Sequence, residues 1–134
     1  GLQPRNEAFA AAYRKQLKDP TVAFDCGLQR LLIDDAVAAA GPLRLRMHAV
    51  ATDASHMHLV VSWRDDRSLD RVSFSVKGNL TRRLNEAFPP QKWFSKGASK
   101  HTVRERGHFE RLVETYLQNH RGWKWCERRG LYLQ

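Results

Sequence analysis

The sequence predicts a single α+β domain in which one antiparallel sheet carries helices on one face. At its centre stand two segments, 43–51 and 56–63, in which apolar and polar residues alternate as they do in half-buried strands. Segments with apolar residues at helical spacing flank this pair on both sides. A chain of 134 residues suits one compact domain with its own core. When helices pack on one face of a sheet, the apolar faces of the helices and the apolar face of the sheet are buried against each other.

Two helices are predicted ahead of the strand pair. Residues 6–18 carry apolar side chains at helical spacing, and the proline at position 20 stops the pattern. Residues 24–40 repeat the spacing, and Gly41, which a proline follows, ends the second helix. We therefore expect an N-terminal helix over 6–18, ahead of a core that covers about 21–125.

The rest of the chain is predicted to alternate in the same way. A turn over 52–55 should join the two strands into an antiparallel hairpin. A third helix is predicted over 68–88, an extended segment over 92–104 and a last helix over 107–120. The tail, 121–134, is rich in aromatic and basic side chains. Since no repeat or linker divides the sequence, we expect the whole chain to form one domain.

Two histidines on the second strand form the first candidate site. His56 and His58 are two residues apart, so their side chains should project from the same face of the strand. Two imidazoles fixed at that spacing can hold one metal ion. If the turn is centred on 53–54, Ala49 and Ala51 face them on the partner strand and leave room for a metal and a substrate. The alternative is that both histidines merely lie on a half-exposed strand face.

The last predicted helix carries the second candidate site. Tyr116 and His120 are four residues apart, so they share one face of that helix. A catalytic role requires the helix to cross the sheet where the two histidines emerge. The alternative is a core tyrosine, because the shared face is also the apolar face of the helix.

The second half of the chain carries the whole formal net charge of +9. Residues 1–66 contain 8 Lys or Arg and 8 Asp or Glu, whereas residues 67–134 contain 15 and 6. A basic half indicates a polyanionic partner, most often nucleic acid. The alternatives are a merely solubilising surface and an anionic membrane. An anionic membrane is less expected than nucleic acid, because the basic residues are scattered among aromatics and do not form one amphipathic helix.

Basic and aromatic residues interleave in this half, as they do in proteins that bind unpaired nucleotides. Cations contact phosphates, and aromatic rings stack on bases. The alternative is that the tryptophans belong to the core and the charges to its rim. The predicted DNA contacts are Lys77, Arg82, Arg83, Lys92, Trp93, Lys96, Lys100, Arg104, Arg121 and Lys124.

Taken in order along the chain, these motifs resemble those of the HUH transposases with a single catalytic tyrosine, in particular the branch associated with repetitive extragenic palindromes. The family's two histidines around a hydrophobic residue, followed by a short apolar run, match 55–61. A helix with a lysine that ends in asparagine matches 75–85. A tryptophan and a loop with histidine, valine and arginine match Trp93 and 101–105. The tyrosine motif matches 116–120, so the resemblance spans the predicted core.

The resemblance implies a ferredoxin-like antiparallel sheet of βαββαβ type, followed by a helix that carries the nucleophile. It implies that Tyr116 attacks a DNA phosphate and forms a 5′-phosphotyrosine, with single-stranded or hairpin DNA as the partner. It also implies a divalent metal, Mg²⁺ or Mn²⁺, held by His56, His58 and a third ligand, either His120 or its neighbour Asn119. The family's first strand has no obvious counterpart, because the N-terminal residues look helical. It is expected upstream of residue 1, or lost.

Other features concern location and rival functions. Cys26 and Cys126 make no disulfide framework and are interpreted as free thiols of the cytoplasm. No apolar run reaches the roughly 20 residues that a bilayer needs, and no signal peptide is visible, so we expect no membrane role. A homodimer is left open. The rivals are an inactive or domesticated relative that binds hairpin DNA or RNA, and a metal-dependent phosphodiesterase that uses water instead of a tyrosine.

Overall fold

The computed structural model describes residues 7–14, 24–94, 99–103, 106–111 and 120–133. Strands and helices alternate along these parts of the chain. The elements are β1 (Glu7–Arg14), α1 (Cys26–Ala40), β2 (Arg46–Thr52), β3 (His56–Trp63), α2 (Leu69–Ala87), β4 (Ser99–Val103), α3 (Arg106–Arg111), β5 (Lys124–Cys126) and β6 (Gly130–Tyr132).

The described strands form one antiparallel sheet in the order β4-β1-β3-β2-β5-β6. The first four strands and the two long helices follow one another as βαββαβ, with strand order 4-1-3-2. This confirms the predicted α+β fold and its ferredoxin-like core. The β5–β6 hairpin, which the sequence pattern does not predict, extends the sheet beyond β2.

The predicted N-terminal helix over 6–18 is wrong where the structure describes it, because residues 7–14 form the strand β1. The segment is rich in alanine, which favours helices, but intrinsic propensity is weak against tertiary context. Here β1 pairs with β3 on one side and with β4 on the other, so its backbone polar groups find partners along both edges. This strand stands where the resemblance implies a first strand, which was expected upstream of residue 1 or lost.

The two long helices bury the same face of the sheet. They are capped where they begin: the side chain of Asp25 accepts a hydrogen bond from the Leu28 amide, and that of Ser68 accepts one from the Arg71 amide. Fully burying a large apolar side chain stabilises the fold by about 1.5–3 kcal/mol. The buried side chains between sheet and helices include Leu32, Ile33, Ala36, Met57, Leu59, Val61, Trp63, Val72, Val76, Leu80 and Leu84.

Among the described residues, the helices lack the length and apolar character needed to cross a bilayer.

The opposite face of the sheet carries a smaller apolar cluster. Ala49, Ala51 and Val60 lie there, joined by Cys126 and Tyr132 of the C-terminal hairpin. Phe109 of α3 packs against this cluster, so α3 lies on the side of the sheet opposite α1 and α2. We call this side the histidine face, because His56 and His58 also lie on it.

Candidate functional site

His56 and His58 share one face of β3, as their spacing predicts. Between and beyond them, Met57 and Leu59 are buried in the core under the helices, whereas both histidines are half-buried on the histidine face. Their ring centroids are 6.2 Å apart, and the ring planes differ by 26°. The predicted placement of the two imidazoles side by side is therefore confirmed.

Small side chains border the two histidines, although not in the predicted register. Ala51 is opposite His58, and Ala49 is opposite Val60. Centring the turn on 53–54 would have placed each alanine opposite a residue two positions earlier in β3. The prediction that these alanines lie on the face of the histidines holds, because a shift of two residues does not change the face.

The turn before β3 fixes the orientation of His56. The Asp53 carboxylate accepts hydrogen bonds from the backbone amides of Ser55 (2.9 Å) and His56 (2.7 Å). A further hydrogen bond of 2.7 Å joins the Ser55 hydroxyl to His56 Nδ1, and Asp53 Oδ1 lies 3.4 Å from the same nitrogen. Because Nδ1 is occupied in this way, Nε2 is the ring nitrogen of His56 that can bind a ligand.

The same turn keeps Asp53 ionised. Burial alone would raise the pKa of this carboxyl, but the amide hydrogen bonds from Ser55 and His56 oppose burial, and the charges of His56 and His120 oppose it further. The net effect is a pKa below the usual value. A negative charge therefore stays beside the imidazole group at neutral pH.

His120 brings the C-terminal part of the chain to the same place. Its ring contacts that of His58, with centroids 4.3 Å apart and planes 67° from parallel. Burial lowers the pKa of His58 to about 4, and the charges of His120 and His56 lower it in the same direction. His58 is therefore neutral at pH 7, the form in which imidazole binds a metal or accepts a proton.

Tyr116 and Asn119 lie outside the described residues, within 112–119. The described chain resumes at His120, directly after this segment, and α3 ends at Arg111, directly before it. The roles predicted for Tyr116 and Asn119 therefore stay predictions.

The metal site also stays a prediction. Within the parts of the chain that the structure describes, no group of three or more His, Cys, Asp or Glu side chains is arranged to hold a metal ion. The donor chemistry itself is suitable, because neutral His58 and the oriented Nε2 of His56 are the nitrogen ligands that transition metals accept. The side chains suited to bind an ion here are the imidazoles of His56 and His58, and His120 lies against His58.

A second polar group on the histidine face has no counterpart in the sequence analysis. His48 lies at a β-bulge between Met47 and Ala49. Its Nδ1 is 2.9 Å from Glu127 Oε1, and its Nε2 is 2.7 Å from the hydroxyl of Ser62. Burial lowers the pKa of His48, although the Glu127 carboxylate partly offsets this. A bulge of this kind re-aims a side chain, and alternation alone does not reveal it.

Three of the predicted DNA contacts, Lys77, Arg82 and Arg83, lie on α2. This helix covers the face of the sheet opposite to His56 and His58. Arg83 also forms an ion pair of 3.0 Å with Asp35 of α1. These three cations are therefore separated from the histidine face by the sheet itself.

Two other predicted contacts are buried. Trp93 is 4% exposed and donates its indole N–H to Asn85 Oδ1 at 2.7 Å, so it belongs to the core and offers no ring to a base. Lys124 is 3% exposed, and its ammonium donates to the carbonyl oxygens of Gly122 (3.1 Å) and Leu133 (3.0 Å). Burial lowers the pKa of Lys124, and neighbouring Arg129 lowers it further. Neither side chain is placed to meet a DNA strand, which corrects the expectation for both.

The remaining predicted contacts divide into three groups. Lys92 and Arg121 are exposed, and Arg121 directly follows His120. Lys96 and Arg104 lie outside the described residues. Lys100 lies in β4, where only its backbone is described.

Comparison with solved structures shows what this fold is similar to. A REP-associated tyrosine transposase bound to a REP hairpin superposes with a TM-score of 0.59 at 11% sequence identity, covering 81% of this chain and 62% of that one. A protein of Deinococcus radiodurans R1, provisionally assigned as a transposase, superposes with a TM-score of 0.62 at 16% identity, covering 85% and 90%. This chain therefore spans less than two thirds of the first structure. At these identities the likeness is one of fold.

No protein-family model and no curated protein matches the sequence.

Proposed function

We propose that this protein is a transposase-like DNA-binding protein that cuts and rejoins single-stranded DNA through Tyr116. The observation that carries the proposal is the imidazole group on the histidine face. There His56 and His58 stand side by side in mid-sheet, and His120 contacts His58. The fold shared with two transposase structures supports the same function.

Tyr116 precedes His120 by only four residues in the sequence. Four residues span at most about 14 Å between Cα atoms, even when fully extended. In the helix that the sequence predicts, the two residues would stand one turn apart on the same face. Because the His120 ring contacts that of His58, such a helix would bring Tyr116 within one turn of a residue of the imidazole group.

The chemistry follows from a phenol beside neutral imidazole. A phenol has a pKa of about 10, so it must lose its proton to a base before it attacks. A neutral histidine of this group would accept that proton. The Tyr116 oxygen then bonds to phosphorus while the bond from phosphorus to the 3′-oxygen breaks, and that oxygen takes the proton from the histidine and leaves as a 3′-hydroxyl. The product is a 5′-phosphotyrosine, and the reverse attack by a 3′-hydroxyl reseals the strand without ATP.

A divalent ion belongs to this proposal as a cofactor. Mg²⁺ or Mn²⁺ bound by His56 and His58, with His120 or Asn119 as the third ligand, would polarise the phosphate that is attacked. Imidazole ligands favour Mn²⁺ over Mg²⁺, which prefers oxygen.

The proposed partner is single-stranded or hairpin DNA. One of the similar structures holds a REP hairpin, and the formal net charge of +9 favours a polyanion. A cytoplasmic location, in keeping with the thiols of Cys26 and Cys126, is part of the proposal, and a homodimer is left open.

A denaturing gel tests the proposed chemistry. The protein is incubated with labelled hairpin-containing single-stranded DNA and Mn²⁺, and the expected product is a protein–DNA adduct that survives denaturation. Tyr116→Phe should abolish it, because the hydroxyl is the nucleophile, whereas Tyr132→Phe on the C-terminal hairpin should not. An adduct of wild-type yield from Tyr116→Phe would contradict the proposal.

A non-catalytic module that binds hairpin DNA or RNA is the second candidate. It is favoured by the finding that, among the described residues, no group of three or more His, Cys, Asp or Glu side chains is arranged to hold a metal ion. It predicts binding without any adduct, and binding that survives His56→Ala and His58→Ala unchanged.

A further inference from the structure

The histidine face carries a cavity at the far end of β2 and β3. It has a volume of about 550 Å³, which is within the range of small-ligand sites. We call it the arginine pocket. Ser62, which lines it, is four residues from His58 on the same face of β3, a distance of about 13 Å along the strand. The lining includes Arg44, Arg46, His48, Ser62, Arg64 and Phe109.

The pocket has two positive charges in excess. Arg46 is neutralised by Glu127, at 3.0 Å. The carboxylate that lines the pocket, Asp65, forms an ion pair with Arg67 at 2.7 Å. The charge of Arg44 also acts on Asp65, so among the described residues here four arginines, at positions 44, 46, 64 and 67, share two carboxylates, Asp65 and Glu127. Arg44 and Arg64 both belong to the first half of the chain, which has no net charge. Folding therefore creates this local concentration of positive charge.

The backbone of Arg44 is held in an unusual conformation. Its φ of 56° lies in the left-handed region, which is disfavoured for a side chain of this size. Hydrogen bonds hold it there: its amide donates to the Gly41 carbonyl at 3.0 Å, and its own carbonyl accepts from Arg67 at 3.0 Å. Non-glycine residues fixed in this region cluster at binding sites, where the conformation aims a side chain.

The floor of the pocket is rigid and partly aromatic. Both ring nitrogens of His48 are hydrogen-bonded, to Glu127 and to Ser62, so its ring cannot turn freely. The half-exposed ring of Phe109 meets His48 edge to face, with centroids 4.8 Å apart. A flat ring beside an excess of guanidinium groups is the combination that holds a base together with its phosphate.

We propose that the arginine pocket binds one unpaired nucleotide of the DNA strand that reaches His56 and His58. Arg44 and Arg64 hold the phosphate of this nucleotide, and its base lies against Phe109. The proposal rests on the proposed function, because it takes the occupant to be part of a DNA strand. It adds a specificity site a short distance along the strand from the phosphate that is attacked.

The test measures binding without cleavage. Tyr116→Phe protein is titrated into a fluorescein-labelled DNA hairpin with an unpaired tail, and affinity is followed by anisotropy at several salt concentrations. In this background, Arg44→Gln/Arg64→Gln should bind roughly tenfold more weakly, since charge-assisted hydrogen bonds are lost. The slope of log affinity against log salt should fall by about 0.7, the value for one lost phosphate contact.

A matched control removes the same charge elsewhere. Arg30→Gln/Arg71→Gln, at exposed arginines of α1 and α2, should change neither affinity nor slope. Arg44→Gly, which suits the left-handed backbone, keeps the test independent of a folding defect and should also weaken binding. Equal losses in the two double variants, or none in the pocket variants, would overturn the proposal.

The base is tested by walking an abasic position through the unpaired tail. One position should weaken binding, and Phe109→Leu should erase that dependence on position. A tail that binds equally well with every abasic position overturns the pocket. If wild-type protein forms the adduct while pocket variants bind DNA normally, the pocket is wrong and the proposed function stands. If pocket variants lose binding while wild-type protein forms no adduct, the pocket stands and the chemistry is wrong.

Discussion

At the scale of single residues, the two imidazoles of β3 are distinguished by their surroundings. His56 is tied to Asp53 and Ser55 through Nδ1, whereas His58 has its pKa lowered by burial and by its charged neighbours. The sequence pattern places both on one face, but it does not show that one is oriented by a carboxylate and the other is kept neutral.

The lowered pKa of His58 predicts a pH dependence of stability in the metal-free protein. The unfolded chain binds a proton near pH 6.5 and the folded chain only near pH 4, so the unfolded state holds more protons between these values. The contribution is present above pH 6.5 and is lost as pH falls toward 4. Its steepest slope is about 1.4 kcal/mol per pH unit.

Urea unfolding of wild-type protein and His58→Asn across this range measures the contribution. The free energy of unfolding should fall more steeply with acid in wild-type protein than in the variant. Parallel curves for the two proteins would show that His58 is not the group responsible.

At the scale of elements, a buried junction fixes the C-terminal hairpin and, through it, the position of His120. The Thr52 hydroxyl donates to the Trp123 carbonyl at 2.7 Å, and the Trp123 amide donates to Gln29 Oε1 at 3.1 Å. The Gly122 amide donates to the Thr52 carbonyl at 2.9 Å. The junction therefore joins α1, β2 and the start of β5 two residues after His120.

Gly122 leaves no room for a side chain at this junction. A Cβ there would come within 2.3 Å of the Thr52 carbonyl oxygen and 2.5 Å of Gln29 Oε1. We expect Gly122→Ala to destabilise the fold by about 1–3 kcal/mol, the usual cost of overpacking. In Gly78→Ala of α2, a Cβ would meet nothing within 4 Å, so that variant should gain roughly 0.5–1 kcal/mol from helix propensity. Thermal unfolding of both variants measures the difference, and a neutral Gly122→Ala would contradict the packing described.

The strand β1 has consequences that a peripheral helix would not have. Because it lies between β3 and β4, deleting residues 1–14 should leave both neighbours without partners and abolish cooperative unfolding. Deleting residues 1–6 alone keeps β1 and should leave the transition in place. Circular dichroism during heating reads out both, and a cooperative transition after the longer deletion would show that β1 is not needed for the sheet.

At the scale of the whole molecule, the strongly periodic elements were predictable. The segments 24–40, 56–63 and 68–88 fold as expected, because their apolar spacing matches the one face that each buries. The alanine-rich β1 was not predictable, because its partners come from distant parts of the sequence.

The net charge of each half of the chain was predictable from the sequence, but the positions of the individual cations in the fold were not. The excess of the second half partly lies on α2, away from the histidines, and Lys124 turns its ammonium inward. The arginine pocket gathers Arg44 and Arg64 from the neutral half. Counting charges along the chain cannot separate these cases, because only folding decides which cations face one another.

The central claim is that Tyr116 forms the bond to DNA, and peptide mapping of the adduct tests it most directly. The three tyrosines lie in different tryptic peptides, since Arg14 follows Tyr13, residues 112–121 contain only Tyr116, and Tyr132 is C-terminal to Arg129. After reaction with hairpin-containing single-stranded DNA and Mn²⁺, followed by nuclease and trypsin digestion, mass spectrometry should find the nucleotide on the peptide 112–121. A nucleotide on either of the other two tyrosine peptides, or no modified peptide at all, would contradict the account.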